Sequence, residues 1–275
     1  MHIKKIIKRI VKAIRIPQKT FANIAYLQPN QILAGKRIII TGGGRGIGAA
    51  MAEKFVNEGA SVLIAGRNEQ SLKELAEKIG CKYLTIDVSD VSLQDSFLKN
   101  AVELLQGVDV LVNNAGISLH ENTFFDVTPE SFDKQISVNL KGGYFLSQKI
   151  IAMWLEKKES GTILFTSSET GEMADYRPYG FTKAMINSLV QGLAHMFAPN
   201  GIRVNAIAPG ISCSDMTGYK ADGNLYYSKN PLNRLYLPEE VAEMASFLLS
   251  DASGCISGQI LTCNNGRSIN ARWDK

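Results

Sequence analysis

Residues 41–48 read Thr-Gly-Gly-Gly-Arg-Gly-Ile-Gly, directly behind Ile38-Ile39-Ile40. A short apolar run, a glycine-rich turn and then an amphipathic stretch over 47–58 is the pattern of a strand feeding a turn that opens a helix. A helix N-terminus offers unpaired amides and the positive end of the dipole, and a Cβ in the turn would hold a pyrophosphate at a distance. Gly42, Gly44, Gly46 and Gly48, with Arg45 and Ile47, therefore form a candidate phosphate cradle. A glycine triplet alone is weak, because many turns contain Gly-x-Gly. Three further signals follow it in order, each just past an apolar run: Asn113-Asn114-Ala115-Gly116, Tyr179-Gly-Phe-Thr-Lys183 and Pro209-Gly210.

Outward from that turn, strand-like and helix-like stretches alternate to the end of the chain. Strands are predicted at 37–41, 61–65, 82–86, 108–113, 162–166, 203–208 and 259–262. Most are continuous apolar runs, as strands buried on both faces require. Helical patterns fill 69–79, 91–105, 181–197 and 238–249. The last opens with Pro238-Glu239-Glu240, a proline followed by acids in the first turn. The alternation predicts an α/β fold, a single-domain Rossmann-like doubly wound parallel sheet of about seven strands with helices on both faces. The expected domain is 34–275, preceded by an arm, 1–33. Residues 211–233 lack periodicity and are expected to form a substrate lid.

Composition limits the alternatives. The 275 residues are 45% hydrophobic, enough for one large core. Cys81, Cys213, Cys255 and Cys263 form no C-x-x-C pair, which suits reduced thiols in a cytoplasmic protein. His2, His120 and His195 are widely spaced and suggest no metal site. The formal charge is +4, but seven of the thirty cations lie in residues 1–19, which hold no acid. That leaves twenty-three cations against twenty-six acids in the remainder, a net −3, so the globular part has no nucleic-acid surface to recommend. In the arm, Ile3, Ile6, Ile7, Ile10 and Ile14 recur at helical spacing among lysines and arginines up to Pro17. Lysines interrupt every apolar run, so it neither spans a bilayer nor forms a secretory signal. A subunit contact, an anionic membrane surface, a disordered tail and an organelle presequence all remain open for it.

Ligands of doubly wound sheets bind beyond the carboxyl ends of the strands. The second predicted strand ends Leu63-Ile64-Ala65-Gly66-Arg67. An NAD site places an acid there, about twenty residues past the glycines. This chain has Gly66 and Arg67 instead, with Arg45 in the turn, and two guanidinium groups without a carboxylate suit a 2′-phosphate. The sequence therefore favours NADP(H) over NAD(H), the alternative being that Arg67 is a solvated residue starting a helix.

With these motifs in place, residues 34–268 resemble the short-chain dehydrogenase/reductase superfamily in its compact single-domain form. Thr-Gly-x-x-x-Gly-x-Gly at 41–48, Asn-Asn-Ala-Gly at 113–116 and Tyr-x-x-x-Lys at 179–183 are complete. Pro-Leu-x-Arg-x-x-x-Pro-Glu-Glu-Val-Ala at 231–242 is most similar to the 3-oxoacyl-carrier-protein reductase group, as are Ser250-Asp-Ala-Ser253 and Ile256-Ser-Gly-Gln259. The resemblance implies a proton-relay tetrad of Asn139, Ser168, Tyr179 and Lys183. It implies adenine near Asp87 and Val88, and ribose and nicotinamide beside Asn114, Ala115 and Gly116. It further implies that the Ser212 backbone meets the carboxamide, that Tyr179 and Lys183 also touch the cofactor, and that Asn139 holds a relay water. A homotetramer or dimer, built on the long helix that begins near Tyr179, is implied as well. One departure stands out: Ser168 precedes Tyr179 by eleven positions, two fewer than is usual in the family. Ser168-Glu-Thr-Gly171 keeps the family's Ser-x-x-Gly, while Thr166 and Ser167 remain substitutes, and with Tyr176 nearby the shortening points to a non-standard pocket.

The residue types suit carbonyl reduction. Charge building on a carbonyl oxygen needs a proton, and a free phenol near pKa 10 is a mediocre acid at neutral pH. An ammonium one helical turn away is expected to favour the phenolate and bring Tyr179 toward working pH. Ser168 is expected to donate to the developing oxyanion. The bland reading of Tyr-x-x-x-Lys is a chance pair on a solvated helix face. Phe181, Leu189, Leu193 and Phe197 read as a packed helix face, Trp154 and Met153 as core or interface, and Cys213 as a thiol near the lid. Three functions compete: an NADP(H)-dependent carbonyl reductase or alcohol dehydrogenase, with a 3-oxoacyl thioester the leading substrate and sugars, steroids or small ketones behind it; a non-catalytic dinucleotide-binding sensor or scaffold; and a keto-sugar reductase or epimerase-like enzyme. The epimerase-type relatives carry a larger C-terminal substrate domain than the roughly 65 residues that follow Pro209-Gly210 here.

Overall fold

Strand residues alternate between two apolar layers, and this sets the architecture. In the first strand Ile38 and Ile40 face one layer and Ile39 the other, and all three are fully buried. The computed structural model describes residues 31–221 and 223–269. Its sheet has seven parallel strands, β1 (Arg37–Thr41), β2 (Ser61–Gly66), β3 (Lys82–Thr85), β4 (Val110–Asn113), β5 (Gly161–Thr166), β6 (Ile202–Pro209) and β7 (Ile260–Cys263), in the order β3-β2-β1-β4-β5-β6-β7. Each predicted strand is present, with ends shifted by two residues at most. Chain order reverses between β1 and β4, where the register sets Thr41 beside Asn113, and a switch of this kind opens a crevice at the strand tips.

Among the described residues there are seven α-helices, six of which pack on the two faces of the sheet. On one face α1 (Gly46–Asn57), α2 (Glu69–Ile79) and α7 (Pro238–Leu249) bury Met51, Phe55, Leu72 and Leu248 against Ile38, Ile64 and Val112. On the other, α3 (Gln94–Leu105), α5 (Gly142–Lys157) and α6 (Pro178–Phe197) bury Phe97, Ile150, Trp154 and Val190 against Ile39, Leu111 and Ile163. Trp154 is a core residue, its indole donating to the Val108 carbonyl at 2.6 Å. On α6 the buried residues include Ile186, Val190 and Ala194, with Leu189, Leu193 and Phe197 packed at their edge. Phe181 departs from the expected packed face and is 39% exposed.

The local signals behave as their chemistry dictates. Asn68 caps α2 by accepting from the Ser71 amide at 3.0 Å, and Gly80 ends that helix in the left-handed region at φ +74°. Glu240, in the first turn of α7, accepts from the Leu237 amide at 2.8 Å. The short helix α4 (Pro129–Ile136) runs into α5 through a π-helical turn, Ser137–Lys141. Leu33, placed in the arm by the sequence reading, is fully buried, and its amide donates to the Glu58 carbonyl. The domain therefore takes in Leu33, two residues after Gln31, the first residue described. The rest of the arm, residues 1–30, lies outside the described residues, as does Asp222 of the lid.

The lid is less irregular than its sequence implies. Bridges join Ser212 to Tyr236, Ser214 to Tyr219 and Tyr226 to Arg234. Buried Cys213, Leu225 and Leu235 give the segment a small core of its own.

Candidate active site

The carboxyl tips of the strands line a cleft of about 980 Å³. Its lower wall is the glycine turn. Gly42 has φ +65°, and a Cβ on Gly48 would lie 2.2 Å from the Gly42 carbonyl oxygen, so these two positions seat α1 against β1. Their first duty is thus chain packing, whereas the sequence reading gave both to the ligand. The opening end of α1 has no side-chain cap and no acid in its first turn. Its amides face the cleft without a partner from a capping side chain, as an anion site requires. Gly44, Arg45, Gly46 and Ile47 line the same wall.

Asn114 is the clasp of this wall. Its Nδ2 donates to the carbonyls of Thr41 (3.2 Å) and Gly42 (3.0 Å), and its Oδ1 accepts from Thr166 Oγ1 at 3.1 Å. It ties the ends of β1, β4 and β5 together and aligns Ala115 and Gly116 along the cleft. Further out, Arg67 and Asp87 end neighbouring strands, 3.9 Å apart. Burial pushes the Asp87 carboxyl up, but hydrogen bonds from the Ser89 hydroxyl and amide, helped by Arg67, outweigh it and hold the group below its ordinary value. Arg67 is 56% exposed and its guanidinium is not locked to that partner. Val88 and Ser212 also line the cleft, Ser212 being buried with its hydroxyl on the Gly210 carbonyl at 3.0 Å.

Three of the residues expected to handle the proton meet at the centre. Tyr179 is in the first turn of α6 behind Pro178, and Lys183 is one turn deeper. Ser168 lies near enough to the phenol to favour its charged form, and its hydroxyl also accepts from the Thr170 amide at 3.3 Å. Of the three candidate hydroxyls, Thr166 is turned to Asn114 and Ser167 to Asn187 at 2.6 Å, which leaves Ser168 against the phenol. After Gly171, Asp175 folds back on Arg177 in a two-pronged pair (2.8 Å to each oxygen). Lys183 is 3% exposed, so the solvated-face reading of the Tyr-x-x-x-Lys pair fails. Its Nζ donates to the Thr166 carbonyl at 2.6 Å and sits 5.5 Å from the Tyr179 ring centroid.

Charge in this centre differs from the sequence expectation. Burial lowers the Lys183 ammonium to about 8. Burial also raises Tyr179 above the ordinary phenol value, against the Ser168 hydrogen bond. Desolvation dominates both groups: it disfavours the phenolate on Tyr179 and the ammonium on Lys183. Asn139 is the one expected tetrad member that does not line the cleft. It sits behind it in the π-turn, where its amide spans the backbone of Ile117, accepting at 2.7 Å and donating at 2.9 Å, and also donates to Thr182 Oγ1 at 3.2 Å. Such π-turns recur at functional sites.

Of the far end of the cleft, the sequence reading gave only the lid. His120, Glu169, Arg177, Met216, Lys229 and Arg267 line it with Tyr219 and Tyr227 of the lid. His120, held at φ +56°, donates from Nε2 to the Met216 carbonyl at 2.7 Å, joining the loop after β4 to the lid. Tyr176 donates to the Asn122 carbonyl at 2.8 Å and joins the loop after β5 to the same segment. Cys213 is bland: burial pushes its thiol up, away from reactivity.

A family model described as enoyl-(acyl carrier protein) reductase matches residues 42–268. The chain belongs to the short-chain dehydrogenase/reductase family. A 3-oxoacyl-[acyl-carrier-protein] reductase of Aquifex aeolicus is 33% identical over 245 residues, covering 85% of this chain and 98% of the relative. An L-rhamnose 1-dehydrogenase (NADP(+)) of Thermoplasma acidophilum is 34% identical over 250 residues, covering 86% and 97%. The crystal structure of a 3-ketoacyl-(acyl-carrier-protein) reductase from Brucella melitensis, complexed with NADH, superposes with a TM-score of 0.81 at 32% identity, covering 86% of this chain and all of that one. This short-chain dehydrogenase/reductase is thus an oxidoreductase of carbonyl and CH–OH groups with a nicotinamide cofactor.

Proposed function

We propose that the protein is an NADP(H)-dependent carbonyl reductase, or the reverse alcohol dehydrogenase, with Tyr179 as its proton donor and acceptor. The observation that carries this reading is the meeting of Tyr179, Ser168 and buried Lys183 beside the uncapped N-terminus of α1. When bound, the reduced dinucleotide supplies the hydride that becomes the new C–H bond. As the carbonyl double bond breaks, its electron pair moves to oxygen, and Tyr179 gives that oxygen its hydroxyl proton. Ser168 donates a hydrogen bond to the same oxygen, a contact that strengthens as charge develops. Lys183 holds the ribose hydroxyls and supports the phenolate left on Tyr179. Asn139 fixes Ile117 and positions the relay behind the tyrosine.

Gly42, Gly44, Arg45, Gly46, Ile47 and Gly48 would cradle the pyrophosphate, Asp87 and Val88 the adenine, and Asn114, Ala115, Gly116 and Ser212 the ribose and nicotinamide. Arg67 and Arg45 favour a 2′-phosphate, and the cofactor named for the Thermoplasma relative supports that choice. The relatives' names offer two substrate types, a 3-oxoacyl thioester and a sugar. A homotetramer or dimer is supported by exposed Phe181, Met185 and Met196 on α6 and by Tyr144 and Leu155 on α5. Four free thiols support a reducing, cytoplasmic setting. No helix among the described residues is long and apolar enough to cross a membrane.

The test follows NADPH absorbance against ketones, acyl thioesters and keto-sugars, with binding read separately by quenching of NADPH fluorescence. Net oxidation is expected. Tight binding with no consumption on any compound would turn the protein into a sensor or scaffold, and product formation without net consumption into an epimerase-type enzyme.

A further inference from the structure

The C-terminal segment after β7 folds back over the catalytic loop. Asn264, buried, donates from Nδ2 to Glu169 Oε2 at 3.1 Å and to Ser268 Oγ at 2.9 Å. Arg267 pairs through Nη1 with the other oxygen of Glu169, and its Nε donates to the Lys229 carbonyl of the lid at 3.1 Å. Ser268 donates to Glu172 at 3.0 Å, and Glu172 also accepts from Thr262 at 2.9 Å. Glu169 directly follows Ser168, is 2% exposed, and lies near enough to Tyr179 for its charge to act on the phenol.

A buried ion pair is poor structural glue, because desolvation offsets most of the attraction and an apolar pair would fasten the segment as well. This one lines the cleft beyond Tyr179. It sets a donor and an acceptor side by side, the arrangement that neighbouring hydroxyls recognise. Arg177, His120, Tyr219 and Tyr227 extend the polar wall, with Met173 and Met216 as the apolar side chains beside it. An acyl chain would strip water from these groups without replacing its hydrogen bonds, which is costly.

We propose that this end of the cleft takes a polyhydroxylated carbonyl compound of sugar or sugar-acid type, and that Arg267 with Glu169 determines that specificity. The proposal rests on the oxidoreductase reading above and uses its redox balance: the carbonyl gains a hydride and a proton, and the reduced dinucleotide is oxidised. Lys229, exposed at the rim, is placed to meet a carboxylate if the compound is an acid.

The test is steady-state kinetics on the full chain with NADP⁺ and NAD⁺, using aldoses, alditols and aldonic acids against a 3-hydroxyacyl thioester. Wild type is expected to show kcat/KM at least about 10-fold higher on one of the polyhydroxylated classes, since sites built on hydrogen bonds reject analogues that lack them. Arg267→Ala is expected to raise KM for that class about 10-fold or more, with a smaller kcat loss shared by the thioester, a KM for the thioester within about 2-fold of wild type and unaltered NADPH binding. Arg267→Lys, which keeps the charge and the fold, should recover part of the loss. Preference for the thioester, or equal losses on both substrate types in both variants, would overturn the proposal while leaving the oxidoreductase reading intact. No turnover of any compound, with NADPH still bound, would overturn that reading and this proposal with it.

Discussion

At the cofactor end of the cleft nearly every wall is the tip of a parallel strand or the start of the helix that follows it. At the substrate end the walls are loops: the segment after β4, the shortened turn after Ser168, the lid and the chain's return after β7. The first region is held by sheet register and by Asn114, which bonds three strand tips at once. The second is held by contacts between residues far apart in sequence, Tyr176 with Asn122 and His120 with Met216. The contrast shows where a doubly wound sheet is free to vary. Moving a strand tip disrupts the core beneath it, whereas a loop contact is exchanged without touching the sheet.

The hardest test of this division strikes where the two ends meet. Tyr179→Phe removes the proton and keeps the ring, and kcat should fall about 10²- to 10⁴-fold. NADPH affinity, measured by fluorescence titration, should stay within about 2-fold, because the strand tips are untouched. A comparable loss of binding would mean that the two ends are one unit.

At the cofactor end, Arg67→Asp should weaken NADPH roughly 10- to 100-fold, the worth of a charge-assisted contact to phosphate, and should improve NADH. If NADPH affinity barely moves in direct titration, Arg67 is a solvated residue and the 2′-phosphate assignment fails.

The buried lysine makes the contrast quantitative. A lysine whose pKa falls to about 8 on folding, from an ordinary value near 10.5, is buried at a cost while it is charged. Between those values the unfolded chain binds more protons, so this group adds stability as pH rises through the window. Lys183→Met should therefore stabilise the ligand-free chain at pH 7 by roughly 1–3 kcal/mol, and the gain should shrink toward pH 10. Denaturant melts at the two pH values decide it, and a variant that is less stable at pH 7 would show that the Thr166 hydrogen bond outweighs desolvation.

The smallest effect concerns the link between the regions. Arg45 of the glycine turn pairs with Asp215 of the lid at 3.3 Å, with both side chains about 70% exposed. Asp215→Asn should change stability by less than about 0.5 kcal/mol. It should tighten NADPH a few-fold by freeing Arg45 and leave NADH unchanged, as titration of both cofactors would show.

The sequence rendered the two ends unequally legible. Ile38-Ile39-Ile40 and the glycines behind them state a strand and a turn locally, and every predicted cofactor residue does line the cleft. Ser168 could be chosen over Thr166 and Ser167 only by analogy, because three adjacent hydroxyls look alike until the strand's pleat aims them apart. The arm's boundary was missed by Leu33, whose burial depends on the Glu58 carbonyl in another element. Asn139 carried no sign of the π-turn, and Arg267 no sign of Glu169, ninety-eight positions away.

Periodicity and turn chemistry are properties of neighbouring residues, so the chain itself determined the alternation of strands and helices and the place of the glycine turn. Which loops touch, and how far burial moves Tyr179 and Lys183 from their solution behaviour, belong to the tertiary structure. Both depend on how much water is excluded and which partners are within reach, and neither quantity exists until the layers have closed.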